Sequence, residues 1–158
     1  MDREERIQIT FDQLMRLEQI AQWGTGRETN LQVLYARWAA ARGRRLPALE
    51  PFEREWIVDA SADDPQFFRL PNHAGFYADQ WKSRYLVDFP LKQHAARCGI
   101  EYLAAKEAGE PACHYLNQRI GGTTREYLRL VLPLAGSHLV YATRILTLQS
   151  PPSLVGSA

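Results

Sequence analysis

The sequence predicts an α+β fold, with helices on one face of a five-stranded antiparallel sheet and an amphipathic helix at the N-terminus. Apolar residues recur with helical spacing in the first 45 residues and again around 90–108. Leucines alternate with other residues through 127–134, which is typical of a strand with one buried face. Glycines at 121–122 and 136 fall between three such segments, so we expect a three-stranded meander.

The first two helices begin at residues that favour helix N-termini. Thr10 and Gln13 form a capping-box pattern, and the apolar spacing that follows predicts a helix over 11–23. A second helix is expected to begin within 29–31 and to end at Gly43, because glycine is a common stop. The polar residues before Thr10 are expected to be frayed.

The remaining elements follow from turn residues that separate the periodic segments. Two strands should form a hairpin, a weakly helical stretch should carry a group of aromatic residues, and a long helix should precede the meander. The predicted ranges are 56–60 and 66–70 for the hairpin, 76–85 for the helical stretch, 90–108 for the long helix, and 112–120, 127–134 and 139–148 for the meander.

Composition limits the class of protein. The 158 residues make one ordinary domain, and 46% apolar with 23% charged residues is the balance of a soluble globular protein. A formal net charge of +1 argues against nucleic acid as the main partner. No stretch reaches the roughly 20 apolar residues that span a bilayer, and the charged N-terminus lacks the apolar core of a secretory signal. Two cysteines fit a reducing compartment, so we expect a cytoplasmic protein.

Three stretches, together with the order of elements, indicate a family. They are Leu34-Tyr35-Ala36-Arg37-Trp38 with the following 41–47, Phe67-Phe68-Arg69-Leu70 to Gly75, and 125–134 with Arg144-Ile145-Leu146. Their pattern resembles the PAS-like sensory domains that occur as small stand-alone proteins in alphaproteobacteria. The resemblance implies a flanking helix within 1–28, a PAS-like domain over 29–149 and a flexible tail over 150–158.

The resemblance implies a sensory and protein-interaction role in bacterial signalling, with a signalling protein as partner and a small apolar ligand as input. The residues expected to line the ligand pocket are His94, Cys98, Tyr102, Trp81 and Leu130. PAS-type domains commonly dimerise through flanking helices, so we expect a homodimer. Its contact residues would be Phe11, Leu14, Leu17 and Ile20. The alternative is that this helix folds back on its own sheet.

Other chemistries compete with this interpretation. Histidine and cysteine are the residue types that bind zinc, and the candidates are His94, Cys98, Cys113 and His114. Cys113 and His114 are neighbours on a predicted strand, so their side chains point to opposite faces of the sheet. We therefore expect no metal site. Haem held by His94 is the alternative to having no cofactor.

A small cavity enzyme of the ketosteroid-isomerase type is a further alternative. It would need a buried Asp–His pair, for which the candidates are Asp59, Asp63, Asp64, Asp79, Asp88 and His73. No nucleophile elbow or phosphate-binding loop is present in the sequence, so we do not expect an enzyme.

Overall fold

A computed structural model describes residues 3–19, 30–50, 52, 56–71, 81–120 and 122–149 of the chain. Three α-helices and five β-strands lie within these residues, with two short 3₁₀ helices between them. The helices are α1 (Phe11–Gln19), α2 (Leu31–Ala41) and α3 (Lys92–Ala108), and the 3₁₀ helices span Pro65–Phe67 and Leu86–Asp88. The strands are β1 (Arg3–Gln8), β2 (Ile57–Asp59), β3 (Ala112–Ile120), β4 (Thr123–Leu134) and β5 (His138–Gln149).

The strands form one five-stranded sheet in the order β1-β3-β4-β5-β2. Strands β1 and β3 pair antiparallel, as do β2 and β5. The predicted α+β class, the antiparallel five-stranded sheet and the C-terminal meander are therefore confirmed. Glycines lie in the turns of the meander. Gly122 and Gly136 have φ angles of 81° and 73°, and residues with a Cβ rarely adopt this backbone conformation.

The fifth strand is not the one that the sequence predicts. Residues 66–70 were expected to pair as a strand, but Asp64 accepts a hydrogen bond from the backbone of Gln66 and Pro65 starts a 3₁₀ helix. Because this turn removes residues 65–67 from the ladder, only Arg69 forms bridges, one to Asp59 and one to Tyr85.

The N-terminal segment supplies the fifth strand of the sheet. The prediction that residues 1–9 are frayed is wrong for Arg3–Gln8, which pair with β3 from Arg119 to His114 as strand β1. The first four residues of β1, Arg3 to Arg6, are all charged, and such a run is typical of a solvated coil when no partner strand is visible in the sequence.

The helices agree with their predicted ranges where the structure describes them. Helix α3 begins at Lys92 and ends at Ala108. Gly109 caps it with a φ of 66°, and the Gly109 N–H donates to the carbonyl of Ala105 at 2.9 Å. Residues 20–23 of the first predicted helix, residues 76–80 of the middle one, and the tail over 150–158 lie outside the described residues. The described part of the middle stretch, 81–85, is not helical, and a 3₁₀ helix follows it at Leu86–Asp88.

The chain divides into two compact units, which we describe separately. Unit 1 comprises Met1–Tyr35, Cys113–Leu130 and Ala142–Ala158, and unit 2 comprises Ala36–Ala112 and Val131–Tyr141. Residues 127–134 of β4 are all buried, so both faces of this strand are covered.

Candidate functional site

The inner face of α3 forms one wall of the hydrophobic core of unit 2. Cys98 and Tyr102 are 2% and 1% exposed, and Ala95 and Ala105 lie on the same side of the helix. The wall therefore consists mainly of small side chains beside one large ring. The core residues that accompany it are Val58, Ala60, Phe68, Leu70, Trp81, Leu86, Phe89, Val131, Leu139 and Tyr141.

Aromatic rings surround this wall in fixed orientations. Trp81 meets Phe89 edge to face, with ring centroids 4.8 Å apart, and its indole N–H donates to the carbonyl of Tyr85 at 2.7 Å. Tyr102 meets Tyr141 in the same manner at 6.0 Å. Edge-to-face pairs hold rings in one relative orientation, so the surroundings of Cys98 are apolar and ordered.

A polar contact marks the N-terminal end of the wall. His94 is half-buried and its Nε2 lies 3.3 Å from Cys98 Sγ, one helical turn further on. The imidazole also lies against Phe89, with centroids 5.5 Å apart. The pair gives an otherwise apolar wall one group that can exchange a hydrogen bond.

His94, the candidate haem ligand, has a partner on its own helix. Nε2 is the ring atom that would bind iron, and it is in contact with the thiol of Cys98.

Four of the five predicted pocket residues lie on or beside this wall. His94, Cys98 and Tyr102 share one side of α3, as their spacing predicts, and Trp81 belongs to the same core cluster as Cys98 and Tyr102. Leu130 does not join them. It is fully buried, but Val131 is the residue of β4 that packs into this core, and successive residues of a strand point to opposite faces.

Sequence patterns missed two core residues of the site, Phe89 and Tyr141. Phe89 lies just before the range 90–108 that is predicted for the long helix, and Tyr141 lies within the last predicted strand, where no pattern distinguishes it from its neighbours. The position of Tyr141 in the core is indicated by its ring contact with Tyr102, a residue far away in the sequence.

The outer side of α3 and the 3₁₀ helices beside it expose apolar side chains. Ile100 is 68% exposed and Phe67 is 53% exposed. The 3₁₀ helix that carries Phe67 packs closely on α3, because a Cβ on Gly99 would lie 2.8 Å from Gln66 Nε2 and 3.3 Å from Pro65 Cβ. One helix thus presents Cys98 inward and Ile100 outward, two residues apart.

The described carboxylates do not build the buried acid–base pair of a cavity enzyme. Asp59 is directly opposite His138 in the β2–β5 register, but its side chain is exposed. The Ser61 hydroxyl donates to Asp59 Oδ1 at 2.6 Å and holds the pKa of this carboxyl below its usual value. Asp59 is therefore a solvated carboxylate; Asp79 and His73 lie outside the described residues.

The described residues contain no group of three or more His, Cys, Asp or Glu side chains that could hold a metal ion. The cysteines Cys98 and Cys113 are both buried, and neither forms a disulfide. Burial raises the pKa of the Cys113 thiol to about 11, which keeps it protonated and unreactive near neutral pH.

The residues that are predicted to form the dimer contact differ in how far their side chains are exposed. Leu14 is fully buried within the chain, so it has no surface to offer a partner. Phe11 is half-buried and stacks on Tyr35, with ring centroids 3.6 Å apart. Leu17 is also half-buried, and Ile20 lies outside the described residues.

Comparison of the chain with known protein families, with curated proteins and with solved structures finds no match. Among the described residues, no helix is both long and apolar enough to cross a membrane.

Proposed function

We propose that the chain is a PAS-like sensory and protein-interaction module of bacterial signalling, acting in the cytoplasm. Its α3 wall would contact a small apolar ligand, and the outer side of the same helix would contact a protein partner. The observation that carries the proposal is that α3 has Cys98 in an apolar core and Ile100 at the surface.

The order of segments supports the resemblance. After α2 come the short strand β2 and the Arg69 bridge, then the long helix α3, then the three consecutive strands β3, β4 and β5. Along the sheet, β3, β4, β5 and β2 are successive neighbours, and Arg69 bridges to Asp59 at the end of β2. A PAS domain has two strands, a helical middle, one long helix and a meander. In this chain the Arg69 bridge stands where the second strand would be, and the 3₁₀ helix Leu86–Asp88 precedes the long helix.

The composition of the wall favours an apolar ligand. Cys98 and Ala95 are small, and the surrounding rings and aliphatic side chains offer no charge among the described members of the core. A ligand held there would gain from burial of apolar surface, with one directional contact available at the His94–Cys98 pair.

The exposed residues support a protein partner. Large apolar side chains at the surface of packed elements are typical of interaction sites when they lie together. Ile100 and Phe67 stand on two elements in direct contact, so a ligand that displaces α3 would alter the surface that a partner meets.

We also propose that the chain forms a homodimer through the amphipathic helix α1, with Leu17 and Phe11 as contact residues. Sedimentation of the purified chain measures its oligomeric state.

Native mass spectrometry of protein purified from its own host tests the ligand. The intact chain is expected to carry a small molecule that denaturation releases. In Cys98→Leu, the larger side chain should occupy the ligand's volume, so this mass is lost while the fold keeps its stability within about 1 kcal/mol. Ala96→Leu adds the same side chain to an exposed position of α3 and should retain the ligand.

The opposite pattern would contradict the proposal. If wild-type protein carries no small molecule and Cys98→Leu is destabilised by about 1–3 kcal/mol in urea denaturation, the α3 wall is part of a filled core.

A further inference from the structure

The α3 wall is closed to solvent. Cys98 is 2% exposed and Tyr102 is 1% exposed, and the core residues around them are buried as well. A small molecule could therefore reach this wall only if an element that covers it moves. Residues 81–88, which we call the strap, are one such element, because Trp81 and Leu86 belong to the same core cluster as Cys98.

A series of contacts leads from the strap to Cys98. The 3₁₀ helix at the end of the strap, Leu86–Asp88, packs on α3. At the beginning of the strap, Trp81 meets Phe89 with ring centroids 4.8 Å apart, and Phe89 meets His94 at 5.5 Å. Nε2 of His94 lies 3.3 Å from the Cys98 thiol. Displacement of the strap would therefore uncover the side of the wall on which Cys98 lies.

The strap is tied to the preceding segment by a short pairing. The Leu70 N–H donates to the carbonyl of Arg84 at 2.9 Å. The Leu86 N–H donates to the carbonyl of Phe68 at 3.2 Å. By contrast, β4 and β5 are strands of 12 residues each within the five-stranded sheet. Because a short pairing opens at a lower free-energy cost than a long ladder, the strap is the cover most able to move.

The backbone of Arg84 is strained when the strap is in place. Its φ is 66°, a left-handed conformation that is unfavourable for residues with a Cβ. The side chain is 7% exposed, and its guanidinium lies over the ring of Trp81 with Cζ 5.4 Å from the centroid. Packing therefore holds Arg84 in a conformation that it would leave when the strap opens. Strained residues of this kind cluster at switch regions and ligand clamps.

We propose that the strap is the gate of the α3 wall, through which a small apolar ligand enters when residues 81–88 separate from Phe68 and Leu70. Arg84 is the hinge residue, and its strain lowers the free energy of opening. The ligand route rests on the function proposed for the wall, whereas opening of the strap is a property of the chain that is measured without a ligand.

Alkylation of Cys98 reports on the gate, because iodoacetamide reaches a buried thiol only when its cover opens. The alkylated fraction is followed by mass spectrometry of the Cys98 peptide after reaction of the folded full chain. Arg84→Ala and Arg84→Gly both lack the guanidinium and differ only in the Cβ that opposes a positive φ. We expect faster alkylation of Cys98 in Arg84→Ala, by about threefold or more, because glycine adopts this backbone conformation readily.

Ser137 supplies the matched control pair. It has a φ of 60° between β4 and β5, and its backbone carbonyl accepts the N–H of Ala60. Ser137→Ala and Ser137→Gly therefore change global stability by the same mechanism without changing the strap, so Cys98 should be alkylated at equal rates in the two variants. In wild type, the rate should also be nearly independent of urea below the unfolding transition, because a local opening exposes little surface.

Three results would overturn the gate. One is an equal alkylation rate in Arg84→Ala and Arg84→Gly. The others are a similar difference within the Ser137 pair and a strong urea dependence in wild type, since both would mean that Cys98 is reached only by unfolding of the whole chain. None of these measurements involves a bound ligand. Failure of the gate is therefore distinguishable from the absence of a small molecule in native mass spectrometry, which would contradict the function of the wall.

Discussion

Asp59 illustrates how a local hydrogen bond sets the charge of one residue. Its pKa lies below the usual 3.8, first because of the Ser61 hydroxyl and then, with smaller effect, because of His138 and Arg69. A carboxyl whose folded pKa is depressed contributes stability above its unfolded pKa, and this contribution is lost as the pH falls through the folded pKa. The effect therefore belongs to the acidic range and not to neutral pH.

Replacing the donor should reverse this shift. In Ser61→Ala, we expect the pKa of Asp59 to rise towards its usual value, as measured by NMR titration of the carboxyl carbon. Ser83→Ala is the matched control, because Ser83 donates to Asp88 at 2.6 Å and should leave Asp59 unchanged. An equal titration of Asp59 in wild type and Ser61→Ala would contradict the assigned cause.

At the scale of the element, the start of α2 depends on a residue from another helix. Glu18 of α1 is 8% exposed and accepts the backbone N–H groups of Leu31 at 2.6 Å and Gln32 at 3.0 Å. Asn30 accepts the N–H of Val33 at 3.2 Å. Negative charge at a helix N-terminus is stabilising, so Glu18 ties α1 to the first turn of α2.

Removing this carboxylate should destabilise the chain. We expect Glu18→Ala to cost about 1–3 kcal/mol in urea denaturation, because one buried and one partly buried N–H group lose a charged acceptor. Gln19→Ala alters the exposed neighbouring position and should change stability by less than about 0.5 kcal/mol. Similar losses in the two variants would show that Glu18 is not a specific cap.

The elements also show which features the sequence could predict. Helix α3 and strands β3 to β5 follow from apolar periodicity and turn glycines, which act locally. The Glu18 cap and the β1–β3 pairing join residues far apart in sequence, and no local pattern encodes them. The same limit explains Leu130: its burial was predictable, but the face it occupies depends on the pairing of whole strands.

At the scale of the whole molecule, His94, Cys98 and Tyr102 were predictable as a group because a single helix carries them. Phe89 and Tyr141 joined the site through tertiary packing alone. The hydrogen bonds that join Glu4, Gln118 and Arg125 could not be predicted for a similar reason, since these residues come from three strands, and the first of these strands is predicted to be a frayed terminus.

The proposed function requires that the α3 wall of unit 2 binds a small apolar ligand. Xenon binds apolar cavities without needing polar partners, so crystals pressurised with xenon test the claim directly. We predict a xenon atom in contact with Cys98 and Tyr102, and its absence in Cys98→Leu. If wild-type crystals show no xenon within the core of unit 2, that core is filled by its own side chains and the claim is contradicted.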